Sequence, residues 1–212
     1  MNLTVCSAVY GNFFDRFGDH FISMLEEANC EQAILVSDKQ VPVPSFIKLV
    51  VRDFVNLADL LNAVPDVLET DWALWMGFDD RVLPTGLSDI HSEADIYGWP
   101  HIMTGLRSGL SRYSGDYENT WKLGHNPMAG GFAYRKELLQ EIPFRDYIYL
   151  DWIHFCETSY FGKTFEFSPE PRTEWVRRED SLALGANREA HSEVYEFQYK
   201  LSQGTIQKGV PE

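Results

Sequence analysis

The chain has 212 residues, enough for one domain that buries roughly 70% of its unfolded surface without a disulfide or metal staple. Its 44% hydrophobic and 24% charged content is ordinary for a globular protein and excludes a disordered or fibrous chain. Eighteen Lys plus Arg against 32 Asp plus Glu give a net charge of −14, which argues against a general polyanion binder and against docking on an anionic membrane.

In chain order, Leu3–Val9 reads as a buried strand that ends at Tyr10-Gly11-Asn12. Phe17, Phe21, Ile22, Leu25 and Ala28 then follow helical spacing, with Asn29 as a stop. Ala33–Val36 is a second strand ending at Ser37-Asp38, and Ile47–Val51 is a third. Leu57, Leu60, Leu61 and Val64 mark a helix broken at Pro65, and Trp72–Met76 is an apolar strand followed at once by Gly77-Phe78-Asp79-Asp80. Strands that are apolar on both faces, with helices between them, predict a mostly parallel sheet covered on both sides. In such sheets ligands bind beyond the carboxyl ends of the strands, so the turns at Tyr10–Asn12, Ser37-Asp38 and Asp79-Asp80 are expected along one edge.

The second half is less regular. A strand is expected over Ala94–Gly98, a mobile loop over Arg107–Lys122, and an apolar run after Gly130-Gly131 that gives way to a helix from Lys136. A helix from Leu150-Asp151 through Phe161 ends at Gly162; a strand over Thr164–Phe167 and a helix over Glu189–Leu201 follow. The expected organisation is a single domain over residues 1–203, in a regular half (1–90) and a less regular half (91–203), with a flexible tail over 204–212. No stretch approaches the roughly 18 apolar residues that span a bilayer, and the N-terminal run lacks the pattern of a secretory leader. Cys6, Cys30 and Cys156 are odd in number and far apart, which predicts reduced thiols and a cytoplasmic location.

Four features carry possible chemistry. Adjacent carboxylates at Asp79-Asp80 suit a hard divalent cation, and otherwise a solvated turn. Asp151 at a helix start suits a cap and equally a general base. Gly130-Gly131 marks a bulge or a close approach of backbone to ligand. Asp38 ends a strand, as many Asp residues do.

The order and spacing of these features resemble the family 2 glycosyltransferases of the GT-A fold. Val9-Tyr10-Gly11-Asn12 matches the turn after the family's first strand, and Asp38 the residue that contacts the nucleotide base. Met76-Gly77-Phe78-Asp79-Asp80-Arg81-Val82-Leu83-Pro84 follows the metal motif, with Gly77 in place of its first Asp. Gly130-Gly131-Phe132-Ala133-Tyr134-Arg135-Lys136-Glu137-Leu138 matches the Gly-Gly segment, and Leu150-Asp151 the segment that bears the base. Arg177-Arg178-Glu179-Asp180-Ser181 has the shape of the family's closing motif without its His. The resemblance implies the nucleotide-diphospho-sugar transferase fold, with a mostly parallel central sheet flanked by helices. It implies transfer of a sugar from a nucleoside-diphosphate donor, UDP favoured, to an acceptor hydroxyl with inversion. Residues 1–90 would be the nucleotide-binding half and 91–203 the catalytic and acceptor half; Asp151 would be the base, Tyr10, Asn12, Asp38, Asp79, Gly130 and Gly131 would hold the donor, residues 107–122 would form a lid over it, and Trp99 and Trp121 would stack on a sugar face or be buried. Mn²⁺ or Mg²⁺ would sit on Asp79 and Asp80, with Glu179, Asp180 or His191 as a third ligand. The acceptor would be a glycan, a protein or a modified DNA base, the last disfavoured by the net charge although Arg107, Arg112, Arg172, Arg177 and Arg178 allow a local basic strip. Two alternatives stand beside this reading: a metal-dependent phosphoryl-transfer enzyme using Asp79, Asp80 and Asp151, and a non-catalytic nucleotide or glycan binder.

Overall fold

The computed structural model describes residues 2–106, 108–111, 115–126, 130–177 and 188–210. The first half runs β1 (Leu3–Val9), α1 (Phe13–Glu27), β2 (Ala33–Ser37), β3 (Ile47–Val51), α2 (Leu57–Leu61) and β4 (Trp72–Trp75). Short strands follow: β5 (Arg81–Val82), β6 (Ile96–Trp99), β7 (Ile102–Gly105) and β8 (Gly109–Leu110). The remainder is a 3₁₀ helix (Tyr117–Lys122), β9 (Gly131–Arg135), α3 (Lys136–Glu141), α4 (Leu150–Tyr160), β10 (Phe165–Phe167), β11 (Thr173–Arg177) and α5 (Arg188–Ser202).

The main sheet has the order β10-β6-β9-β4-β1-β2-β3. Its pairs are parallel except around β9, which runs antiparallel to both β4 and β6. A second sheet, β5-β11-β7-β8, stands beside it. The central strands are sealed on both faces: every residue of β2 is buried, as are most of β1. On one side α1 presses Phe21, Met24 and Leu25 against Val5, Leu35 and Phe78. On the other, Ile34, Ala73, Phe132, Tyr134, Leu138 and Phe155 form a single apolar cluster.

Local chemistry sets the element ends. Asn29 takes the left-handed backbone (φ 53°) that stops α1, a conformation Asn tolerates better than most residues. Asn56 caps α2, its side chain accepting the Asp59 N–H at 2.9 Å while Asp59 accepts the Val55 N–H at 3.0 Å. The helix then ends on Asn62, whose amide clasps the Phe144 backbone from both sides at 2.8 Å.

Two expectations need correction here. The segment 117–122 is not an irregular loop: it forms the 3₁₀ helix, held to α5 by Gln198, which donates to the carbonyls of Thr120 (3.0 Å) and Leu123 (2.8 Å). Arg107 and residues 112–114 lie outside the described residues. Nor do the described residues after 203, which end at Val210, hang free of the domain; residues 211–212 lie outside the described residues. Buried Arg145 donates to the carbonyls of Gln207 (2.9 Å) and Val210 (2.6 Å), and Ile206 is buried. The same guanidinium grips Glu157 of α4 through two hydrogen bonds of 2.7 and 2.8 Å. The three cysteines are free and buried.

Candidate active site

Parallel pairing places the ends of β1, β2 and β4 on one edge, as Val9 stands beside Ser37 and Cys6 beside Trp75. After β1, Gly11 adopts φ 61°, and its N–H donates to Asp38 Oδ2 at 3.0 Å. The other carboxylate oxygen, Oδ1, is buried and has no hydrogen-bond partner among the described residues. The Tyr10 ring packs 5.7 Å from both Phe13 and Phe54, and Asn12 opens α1 without a side-chain cap bond. Tyr10, Asn12 and Asp38 thus belong to one pair of adjacent turns.

The turn after β4 is anchored by Phe78, which is buried and stacked on Phe21 at 4.6 Å. The Asp80 N–H donates to the Gly77 carbonyl at 3.1 Å, closing the turn. A Cβ on Gly77 would lie 2.5 Å from Asp80 Oδ2 and 3.2 Å from Asp79 Oδ1. The glycine at this position therefore makes room for the two carboxylates that follow. Asp80 Oδ1 also accepts the Val176 N–H of β11 at 3.0 Å, which ties the turn to the second sheet.

A cavity of about 330 Å³ opens at this edge. Asp80 and Gly77 come to it from the β4 turn, Gly130 and Gly131 from the start of β9, His101 from the end of β6, and Asp151 from the first turn of α4. Leu57, Leu61, Trp75, Phe144 and Leu150 supply most of the remaining wall. Asp151 is reachable from solvent yet ringed by protein. That surrounding apolar mass pushes its carboxyl above the ordinary carboxylate range, against the pull of the N–H groups of Trp152 and Asp151 itself. The same carboxylate helps to raise the Tyr134 hydroxyl, though burial is the larger cause there.

The two glycines answer to the protein itself. A Cβ on Gly130 would stand 2.2 Å from the Trp99 carbonyl, and one on Gly131 would stand 2.3 Å from Trp99 Nε1 and 2.6 Å from Thr173 Oγ1. Trp99 is fully buried and donates through Nε1 to Thr173, so it is no sugar platform; Trp121 is half-buried, packs edge-on against Tyr160 at 5.3 Å and does not line the cavity described above. Arg172 is spent on the Ser88 carbonyl (2.8 Å) and on the rings of Tyr97 and Trp99.

The structure therefore joins Asp80, Gly130, Gly131 and Asp151 around one space. Asp79, Asp38, Tyr10 and Asn12 do not line it; of the adjacent pair, Asp80 is the one in the wall. His191 does not approach the acidic pair: it lies on α5, edge-on to Tyr149 (5.5 Å) and Trp152 (5.8 Å). Glu179 and Asp180, with Arg178 and Ser181, lie outside the described residues. Among the described residues no three His, Cys, Asp or Glu side chains come together to hold a metal. His101 was missed by sequence reasoning, since nothing local marks it; only its partner Thr173, far along the chain, gives it a place.

Several solved structures share this architecture. Residues 1–349 of TarS from S. aureus in complex with UDP-GlcNAc match with a TM-score of 0.69 at 14% identity, over 99% of this chain and 68% of that one. The mannosyltransferase PcManGT from Pyrobaculum calidifontis, in complex with GDP-Man and Mn²⁺, matches with a TM-score of 0.62 at 11% identity, over 98% of this chain and 65% of that one. A mycobacterial protein matches with a TM-score of 0.62 at 13% identity, over 97% and 76% of the two chains. No family model matches the sequence, and no curated protein does. The chain has the α/β nucleotide-diphospho-sugar fold of the GT-A-like glycosyltransferases. No helix among the described residues is long and apolar enough to cross a membrane.

Proposed function

We propose that this chain is a family 2-like, inverting glycosyltransferase that uses a nucleoside-diphosphate sugar. The observation that carries the reading is the cavity in which Asp80 and Asp151, from distant elements, face one space at the carboxyl edge of a GT-A-like sheet. Tyr10, Asn12 and the half-satisfied Asp38 would hold the base and ribose at the neighbouring turns. Gly130 and Gly131 would border the donor sugar.

Asp151 would accept the proton of the attacking hydroxyl while the nucleoside diphosphate leaves from the opposite face of the anomeric carbon. Its raised pKa brings it closer to neutral pH, which strengthens it as a base. The carboxylates of Asp79 and Asp80 fit a Mg²⁺ or Mn²⁺ that completes its shell with phosphate oxygens and water, as such ions usually do. When bound, that ion would offset the charge growing on the leaving diphosphate. The acceptor reading is a glycan, a protein or a modified DNA base.

The hold of Val176 on Asp80 Oδ1 favours, as a second reading, a nucleotide-sugar binder without turnover. Incubating the chain with UDP- and GDP-sugars and Mn²⁺, and measuring nucleotide release, decides between them. Slow hydrolysis that Asp151→Asn abolishes, with nucleotide binding retained, supports the transferase. Binding without release from any donor leaves the binder. A thermal shift with none of these nucleotides would remove both.

A further inference from the structure

The last helix carries exposed tyrosines that its packing does not require. Val194, Phe197 and Leu201 of α5 are buried with Trp152, Ile153 and Cys156 of α4. The two helices run side by side in the same direction: His191 stands edge-on to Trp152 at 5.8 Å, and Gln198 Nε2 lies 3.5 Å from Cys156 Sγ. Since Asp151 opens α4, α5 starts beside it and leads away from it. On the outer side of α5, Tyr195 and Tyr199 are 48% and 65% exposed.

His191, Tyr195 and Tyr199 recur every fourth residue, so they share one face and are spaced about 6 Å apart along the axis. The His191 and Tyr195 rings have centroids 6.5 Å apart. The row continues towards Asp151 through Tyr149, which is 5.5 Å from His191 and immediately precedes α4. Tyr195 is half exposed yet held, because its hydroxyl donates to the Gly124 carbonyl at 3.2 Å. A ring fixed in that way loses little freedom when a ligand stacks on it. Around the tyrosines the outer side of α5 is polar: Glu189, Ser192, Glu196 and Ser202 are all exposed. The row is one ring wide, unlike the broad apolar patch of a protein interface. Against Glu189, Glu193 and Glu196 the helix sets only Arg188 and Lys200, and Lys200 pairs with Glu196 at 3.4 Å. That balance disfavours a phosphate-bearing partner.

We propose that this row is an acceptor strip: a neutral oligosaccharide lies along α5 on Tyr149, Tyr195 and Tyr199, with a hydroxyl of its end sugar at Asp151. This rests on the glycosyltransferase reading and chooses among its acceptors. The C–H face of a pyranose suits the negative face of an aromatic ring, and one helical turn is close to the length of one sugar in a chain. A single sugar or a modified base would end within the cavity of about 330 Å³ and leave Tyr199 untouched. An acceptor chain extends past the cavity and meets each ring in turn.

The test titrates the full chain, its tyrosine rings ¹³C-labelled, with di- and pentasaccharides of the cellulose, mannan and chitin series, and with pentagalacturonate as the charged control. At least one neutral pentasaccharide is expected to bind, more tightly than its disaccharide and than pentagalacturonate. Tyr199→Ala should weaken that pentasaccharide about fivefold and spare the disaccharide, whereas Tyr195→Ala should weaken both. Tyr199 is largely exposed, so its variant should melt like wild type. With UDP- and GDP-sugars and Mn²⁺, the bound glycan should speed nucleotide release, and Tyr199→Ala should raise its KM more than it lowers kcat. No binding of any neutral oligosaccharide, equal binding of pentagalacturonate, or variants that spare the pentasaccharide would overturn the strip. Tyrosine shifts given by an unfolded peptide or by oligothymidylate, and by no oligosaccharide, would do the same. Glycan binding without faster release would overturn the acceptor role. In each of these cases donor hydrolysis leaves the glycosyltransferase reading standing. A chain that binds no nucleotide sugar removes that reading, and this inference with it.

Discussion

Asp151 shows how environment sets the job of one side chain. In the proposed role of base it works only when ionised, and the protein packed around its carboxyl raises its pKa. The acid limb of kcat/KM should therefore fall at a pH above the ordinary carboxylate value of about 3.9. A pH profile of donor hydrolysis checks this, and Asp151→Asn should reduce the rate by about a hundredfold or more. Gly130 is constrained as sharply from the packing side. Gly130→Ala drives a methyl into the backbone carbonyl of Trp99, 2.2 Å away, and should cost about 1–3 kcal/mol in a denaturant melt. Asp151 and Gly130-Gly131 stand out by type against their neighbours in the sequence, and all three line the cavity. That Asp80 rather than Asp79 lines it was not readable, because it depends on how a tight turn rotates around Gly77.

Among the elements, the helices were the most readable. Their apolar residues recur every three or four positions, and Asn29, Asn56 and Gly162 end or start them by backbone chemistry. The direction of β9 was not readable. Gly-Phe-Ala-Tyr-Arg is apolar almost throughout, and a strand buried on both faces looks the same in either direction. Nor did the sequence reveal that the segment after α5 is pinned by Arg145. That ion pair stands on α4 and on the loop that carries Phe144, which together frame Asp151 and the cavity. Arg145→Met should leave the Glu157 carboxylate buried and unpaired, at a cost of about 3–5 kcal/mol by thermal or urea melt. Replacing both residues with apolar ones should recover part of that loss.

For the whole molecule, two imidazoles held neutral shape the pH dependence of stability. His154 is buried, donates through Nε2 to the Ile142 carbonyl at 2.9 Å, and lies against Phe144 at 4.4 Å. Burial chiefly, with Arg145 nearby, lowers its pKa from 6.5 to about 4; His101 behaves alike. Between those values the unfolded chain binds more protons than the folded one. Their contribution is complete above pH 6.5 and is lost as pH falls towards 4. Asp151 acts in the opposite sense, because its folded form holds a proton more readily. Glu141, held below the ordinary carboxylate range by its hydrogen bonds from Lys163 and Lys208, adds to the loss at the acid end; the sum predicts a Tm lower by about 5 °C or more at pH 4.5 than at pH 7, and a shallower slope for His154→Phe.

The sealed central strands carry one practical consequence. Cys6, Cys30 and Cys156 sit in β1, before β2 and in α4, and burial raises Cys30 to about 11 and Cys156 to about 12, with Cys6 pushed higher still. Thiolate is the form that alkylating reagents attack, so these sulfurs stay inert while the sheet is closed. Maleimide mass-tagging therefore becomes an unfolding clock, and a bound donor should slow all three tags together.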